Sequence, residues 1–269
     1  MKADFCLIAV ILIVLSSSLT GCLGGDEDNG YSGPIDLVVY YDSTSGMAIQ
    51  SGGYGNGHQY ANQGVNLCFS FVDTTSEEGN ITRIYLDPDI GGETVERNLE
   101  DDRNRTVLCH EWISHGLFEI TLGAEDINGN TNEFQITVKI DMKMVGSDYD
   151  TESSTMQFDT GYCCEKGRPL PEKISIVSEV TNDEDFFLSA EDTRVTWNVT
   201  NHEEQEVASH RSETIEDGQT EWWDIVIDEL TDGIWSLNIE AHGDEISIEN
   251  EIIISYPEGS EDPPNPGPE

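Results

Sequence analysis

The sequence predicts an all-β chain: two tandem β-sandwich domains behind an N-terminal export leader. Apolar residues recur at every second position in short runs bounded by Gly, Asn and Asp turns. One such run occurs twice, 117 residues apart. No stretch carries the 3.6-residue period of a long amphipathic helix. A length of 269 residues suits two modest domains. Twelve Lys and Arg against 54 Asp and Glu give a net charge of −42, while 36% hydrophobic residues suffice for cores. A polyanion of this size repels phosphate backbones and anionic headgroups, which excludes nucleic-acid partners and electrostatic membrane docking.

Residues 1–21 have the layout of a secretory signal peptide. Lys2 precedes an apolar run from Phe5 to Leu15, and Ser16, Ser17 and Ser18 follow. That run is too short to span a bilayer comfortably. The next residues, Leu19-Thr20-Gly21-Cys22, resemble the lipobox of prokaryotic surface lipoproteins, bacterial or archaeal. The resemblance implies cleavage before Cys22 and a thioether-linked diacylglyceryl group on Cys22. Two acyl chains give stable attachment where one is marginal. The expectation is an exported protein held by lipid on the outer side of the cell membrane. Residues 22–34, rich in Gly and acid, read as a flexible tether, and residues 258–269 as a disordered acidic, Pro-rich tail without an apolar stop-transfer segment.

Residues 35–141 form the expected first domain. Its strands are Ile35–Tyr41, Val65–Phe71, Ile81–Leu86, Glu93–Leu99 and Thr106–Ile113, then the run GLFEITLGA (Gly116–Ala124) and Phe134–Ile140. Residues 169–257 form the second, with strands Lys173–Val180, Thr193–Val199, Gln205–Thr214 and Glu221–Leu230, then GIWSLNIEA (Gly233–Ala241) and Ile252–Tyr256. Alternation puts Phe118, Ile120, Leu122 and Ala124 on one core face, and Trp235, Leu237, Ile239 and Ala241 on its counterpart. Leu67, Phe69 and Phe71 match Val195, Trp197 and Val199 in the same way. Each repeated run is expected to turn back into the strand after it, in the first copy through Asn128-Gly129, whose residues tolerate positive φ. Residues 142–168, rich in Ser, Asp and Gly, read as a linker or an added edge strand.

Seven short strands in roughly 100 residues suit a sandwich of immunoglobulin type. The repeated pattern G-[LI]-[FW]-x-[IL]-x-[LI]-x-A resembles Ig-like and PKD-like modules of prokaryotic surface proteins. Such modules serve adhesion, spacing, sugar binding and enzyme support, so the resemblance implies a fold and leaves function open.

After the leader and Cys22, four cysteines remain, with three connectivities. Cys68 lies between core-facing Leu67 and Phe69, so it points outward. Cys109 matches Val226, which lies outside the inward set Trp223, Ile225 and Ile227. The second and fifth strands of an Ig-type sandwich are neighbours, so two outward cysteines there can bridge, and Cys68–Cys109 is the expected disulfide. Cys163 and Cys164 are left as a vicinal ring, a bond to another chain or free thiols.

Little in the sequence speaks of catalysis. His110-Glu111-Trp112-Ile113-Ser114-His115 has one residue too many between its histidines to place two zinc ligands on a helical face. No nucleophile elbow, phosphate loop or dinucleotide fingerprint occurs. No catalytic residue, cofactor or metal site is assigned. Calcium is a weak option at four acidic turns: Asp87/Asp89, Asp126/Asn128/Asn130, Asp148/Asp150 and Asp183/Glu184/Asp185. Asn80, Asn104 and Asn198 head N-glycosylation sequons. Ser43–Asn62 reads as a long Gly-rich loop with Tyr54, His58 and Tyr60, and Trp222 as an exposed ring beside inward Trp223. The functional expectation is a non-enzymatic adhesion, scaffold or ligand-binding module with a protein or glycan partner. The alternative is an accessory, substrate-presenting subunit of an extracellular enzyme or transporter.

Overall fold

The computed structural model describes residues 33–53, 61–89, 91, 93–99, 105–161, 169–182 and 192–258. Cys22, Asn104, Cys163, Cys164 and the acidic turn at residues 183–185 lie outside these residues, as do the leader and most of the tail. The described residues are all β, without an α-helix. In chain order the first strands are β1 (Ile35–Asp36), β2 (Ser45–Gly53), β3 (Ala61–Gln63), β4 (Val65–Ser70), β5 (Thr75–Ser76), β6 (Ile81–Asp87), β7 (Val95–Asn98), β8 (Val107–Trp112) and β9 (Gly116–Asp126). There follow β10 (Thr131–Thr151), β11 (Ser153–Asp159), β12 (Lys173–Asn182), β13 (Arg194–Thr200), β14 (Glu206–Arg211), β15 (Thr220–Ile227), β16 (Ile234–His242) and β17 (Ile246–Ser255).

One nine-stranded sheet runs through the molecule in the order β15-β12-β17-β10-β9-β6-β7, with β2 added to β10 and β3 to β2. Two-stranded β4-β8 and four-stranded β11-β16-β13-β14 are separate sheets. The shared element is β10, 21 residues long. Its first half pairs with β9 from Thr131↔Glu125 to Ile140↔Gly116, and its second half with β17 from Met142↔Ile254 to Thr151↔Ile246. Residues Met142–Ser147 pair with β2 as well, which places β2 and β17 on opposite edges of this strand.

The inner face of β10 never changes parity. Ile136, Val138, Ile140, Met142 and Met144 are all buried and belong to one continuous hydrophobic core. Of the two expectations for residues 142–168, the linker is corrected and the added edge strand is met in part. Met142–Thr151 continues β10, Ser153–Asp159 forms edge strand β11, and residues 162–168 lie outside the described set. Gly146 and Ser147 dilute the local apolar signal, yet pairing on both edges satisfies the backbone there. From Pro34 onward the chain groups as one unit.

The predicted core faces are in place. Phe118, Ile120, Leu122 and Ala124 are fully buried, as are Trp197, Val195, Val199 and Leu237, while Ala241 is partly buried. Both glycines that open the repeated run have positive φ, 152° at Gly116 and 131° at Gly233. A Cβ at Gly233 would stand 2.6 Å from that of His202, so backbone conformation and space both ask for glycine.

The repeat does not extend to pairing. β9 and β10 form the expected hairpin, closed by hydrogen bonds between Asp126 and Asn130 and between Gly129 and Asp126. β16 and β17 do not pair: β16 lies between β11 and β13, whereas β17 lies between β10 and β12. Side-chain alternation fixes which face is buried and leaves the choice of neighbour to the connection between strands.

Candidate functional site

The sequence marks Ser43–Asn62 as a loop, but its described parts form a β-hairpin. β2 runs parallel to β10 from Ser45↔Lys139 to Gly53↔Ser147, and β3 returns with Asn62 opposite Gln50. The tip, residues 54–60, lies outside the described set. Because Ala48 pairs with Met142 and Gln50 with Met144, Gln50 faces the inner side of the sheet, and Asn62 shares that side.

A cleft of about 460 Å³ opens where this hairpin and edge strand β11 part, with the turn between β8 and β9 at one end. Gln50, Asn62, Ser114 and Gln157 supply its neutral polar groups. Met142, Met144 and Phe158 form an apolar floor, all buried, and Ile113 lies exposed at the rim. His115 and Asp159 complete the wall. Among the described residues no Lys or Arg lines it.

His115 ties the cleft together. Its Nδ1 is 2.9 Å from the phenolic oxygen of Tyr256, and the imidazole also bonds the backbone of Asp159. Tyr256 is held in turn by its backbone N–H, which donates to Asp141 Oδ1 at 2.8 Å. Burial pushes the His115 imidazole below its ordinary pKa, outweighing the attraction of Asp159 and Asp141. Burial first, then Asp159, Asp141 and Asp232, pushes the Tyr256 phenol well above its ordinary value. Both groups are neutral at pH 7. The pair is a structural clamp with two uncharged rings.

Cys68 and Cys109 sit directly opposite each other on β4 and β8 and form a disulfide, Cα–Cα 4.1 Å, with both residues exposed on the outer face. Asn80 is exposed just before β6. Asn198 lies in β13, its Nδ2 donating to Glu206 at 2.5 Å and its Oδ1 enclosed. Trp222 is 58% exposed and Trp223 9% exposed, the parity expected. Trp222 belongs to the outer face at β15, whereas Gln50 and Asn62 belong to the inner face, so the ring and the hairpin do not meet in one concavity.

The acidic turns have internal uses. Asp126 Oδ1 accepts from the backbone N–H of Asn128 and Asn130, and its Oδ2 from Ser76 and from the Asn130 amide. These bonds, led by that of the Asn130 side chain, hold its pKa below the ordinary carboxylate value. Asp87 accepts from the N–H of Asp89, whose own carboxylate accepts from the N–H of Glu119. Buried Asp148 accepts from Ser154. Among the described residues no three His, Cys, Asp or Glu side chains gather as a metal site. His110 packs edge-on against Trp112, ring centres 4.5 Å apart, away from the bond between His115 and Tyr256.

His115, Tyr256, Gln50, Asn62 and Gln157 were not singled out as a site from sequence. His115 fell within a rejected metal motif and the hairpin pair within a presumed loop. Gln157, in the presumed linker, carried no signal.

No family model matches the chain, and no curated protein matches it. Solved structures that it resembles include carbohydrate-binding modules of the β-sandwich superfamily, at 9% identity and TM-score 0.31, covering 83% of this chain and 98% of that one. Another holds a carbohydrate-binding module with GlcNAc and INT domains from Clostridium perfringens, at 8% identity and TM-score 0.25, covering 64% and 48%. A Bacteroides uniformis β-glucuronidase gives 11% identity and TM-score 0.25, covering 83% and 30%. These likenesses are faint, and the functional reading rests on the geometry of this chain.

Proposed function

We propose that this chain is a lipid-anchored, non-enzymatic surface module that holds a protein or glycan ligand in the cleft between the β2–β3 hairpin and edge strand β11. The supporting observation is the cleft itself. It is walled by strands joined through β10, so its sides are positioned before any ligand arrives, which lowers the ordering cost of binding. Its volume lies within the range of about 300–1,000 Å³ usual for ligand sites. Among the described residues, the ionisable side chains in its lining are His115 and Asp159. His115 is already bonded to Tyr256, and Asp159 accepts from the backbone of Gly161. That arrangement suits holding a ligand better than proton transfer to one. A leader resembling that of lipoproteins, with Cys22 as the lipidated residue, supplies the surface address.

The test is a binding screen of the lipidated full chain against polymers and exoproteins from the producing cell's surface, beside a Gln157→Arg variant that fills the cleft mouth. Capture by the wild type and loss in the variant is the expected result. Equal capture by both, or chemical turnover of a retained polymer, overturns the reading. Cys22→Ser should move the protein from the membrane to the soluble fraction, and a variant that stays membrane-bound overturns the anchor.

A further inference from the structure

We propose that the junction cleft takes a neutral saccharide, an inference that rests on the ligand-binding reading above and gives it a chemical class. Positions on the inner face of a sandwich sheet are normally apolar, as Ile140, Met142 and Ala48 are. Continuing that face toward the edge, Gln50 and Asn62 replace the apolar pattern with two primary amides on paired strands. Neither side chain hydrogen-bonds within the described residues, and neither does that of Gln157 or Ser114 across the opening.

Three uncommitted amides and a hydroxyl therefore converge on one opening. Each amide offers an acceptor oxygen beside a donor nitrogen, the complement of neighbouring hydroxyls that both donate and accept. The floor of Met142, Met144 and Phe158 offers a soft apolar surface to the C–H face of a sugar ring. A wholly apolar ligand would leave the amides desolvated and unpaired. A phosphate, sulfate or carboxylate ligand would meet no cation among the described lining residues, the Asp159 carboxylate at the wall, and a net charge of −42 on the chain around it. The space suits one or two sugar rings rather than a long helix or a folded partner.

The experiment uses the lipidated full chain in detergent, with saturation-transfer NMR and calorimetry against neutral hexoses, N-acetylhexosamines and their disaccharides. Glucuronic acid and a short Gln- and Asn-rich peptide form separate arms. The expected result is binding of at least one neutral sugar, weakened at least tenfold by Gln50→Leu and by Asn62→Leu, with an unchanged melting temperature. Gln157→Ala, on exposed edge strand β11, gives the same readout should an inner-face variant fail to fold. Absence of binding by all neutral sugars, preference for the uronate or the peptide, or undiminished binding in the variants overturns the proposal. If the neutral sugars fail while Gln157→Arg still abolishes capture in the surface screen, the saccharide class falls and the ligand-binding reading stands. If both fail, the module reading falls with it.

Discussion

Nδ1 of His115 lies 2.9 Å from the hydroxyl of Tyr256, a residue 141 positions later in the chain. The contact joins the turn after β8 to the end of β17 beside the cleft. Which of the two groups donates is set by the imidazole tautomer. Burial lowers the folded-state pKa of His115, so below the ordinary histidine pKa the unfolded chain binds protons that the folded chain resists. Stability is complete above that ordinary value and falls as pH drops through it toward the folded value. His110 shifts in the same direction, from burial, and adds to the slope. Thermal melts between about pH 7.5 and 5 should show a falling melting temperature. His115→Gln, which retains a polar group without the titration, should flatten that fall, and an unchanged slope would remove His115 from the account.

The outer-face disulfide makes a separate claim about the first core. Cys68 and Cys109 are 41 residues apart, and in the chain-entropy model closing such a loop stabilises by about 4 kcal/mol. Both sulfurs are carried by exposed residues, so mild reductant should reach them without prior unfolding. Denaturant titration of the Cys68→Ala/Cys109→Ala variant should show a loss of about 2–4 kcal/mol. A negligible loss would mean that pairing of β4 with β8 already restricts the unfolded chain.

This bridge was legible because it needs only side-chain parity and neighbouring strands. The same reasoning placed Phe118 and Trp235 correctly. It failed wherever the answer depended on which strand lies alongside. β2 (SGMAIQSGG) was hidden by its glycines and serines, which weaken the β signal although β10 supplies a complete backbone partner. The alternation of β10 did not stop at Asp141: Ile140, Met142 and Met144 continue it in plain view. The Ser-, Asp- and Gly-rich composition farther on outweighed that period and suggested a linker. The cleft was illegible for the same reason, since Gln50 and Gln157 acquire meaning only once β2 and β11 are side by side at an opening.

Parity can be checked at one dipeptide. Trp222 is on the outer face of β15, and Trp223 packs inward with its ring centre 6.3 Å from that of Trp197. Trp223→Ala should cost about 3–5 kcal/mol, the range for removing a buried aromatic. Trp222→Ala should stay within about 0.5 kcal/mol of the wild type. Urea denaturation of the two variants decides it, and similar costs at both positions would contradict the register of β12 with β15.

The continuity of β10 predicts that the strands paired to its first half and those paired to its second half melt together. Val145 sits where the strand is paired on both edges, opposite Glu251 of β17 and Ser51 of β2. Its side chain faces outward, so substitution there tests the backbone rather than the core. Proline removes an N–H that the ladder uses and is tolerated in sheets only at edges and bulges. Val145→Pro should therefore lower the melting temperature, split one calorimetric transition into two, and open the cleft by releasing β2. Val145→Thr keeps the N–H and the branched side chain, and should leave a single transition. Two transitions in the wild-type protein would show that β10 joins its two sets of partner strands without coupling them.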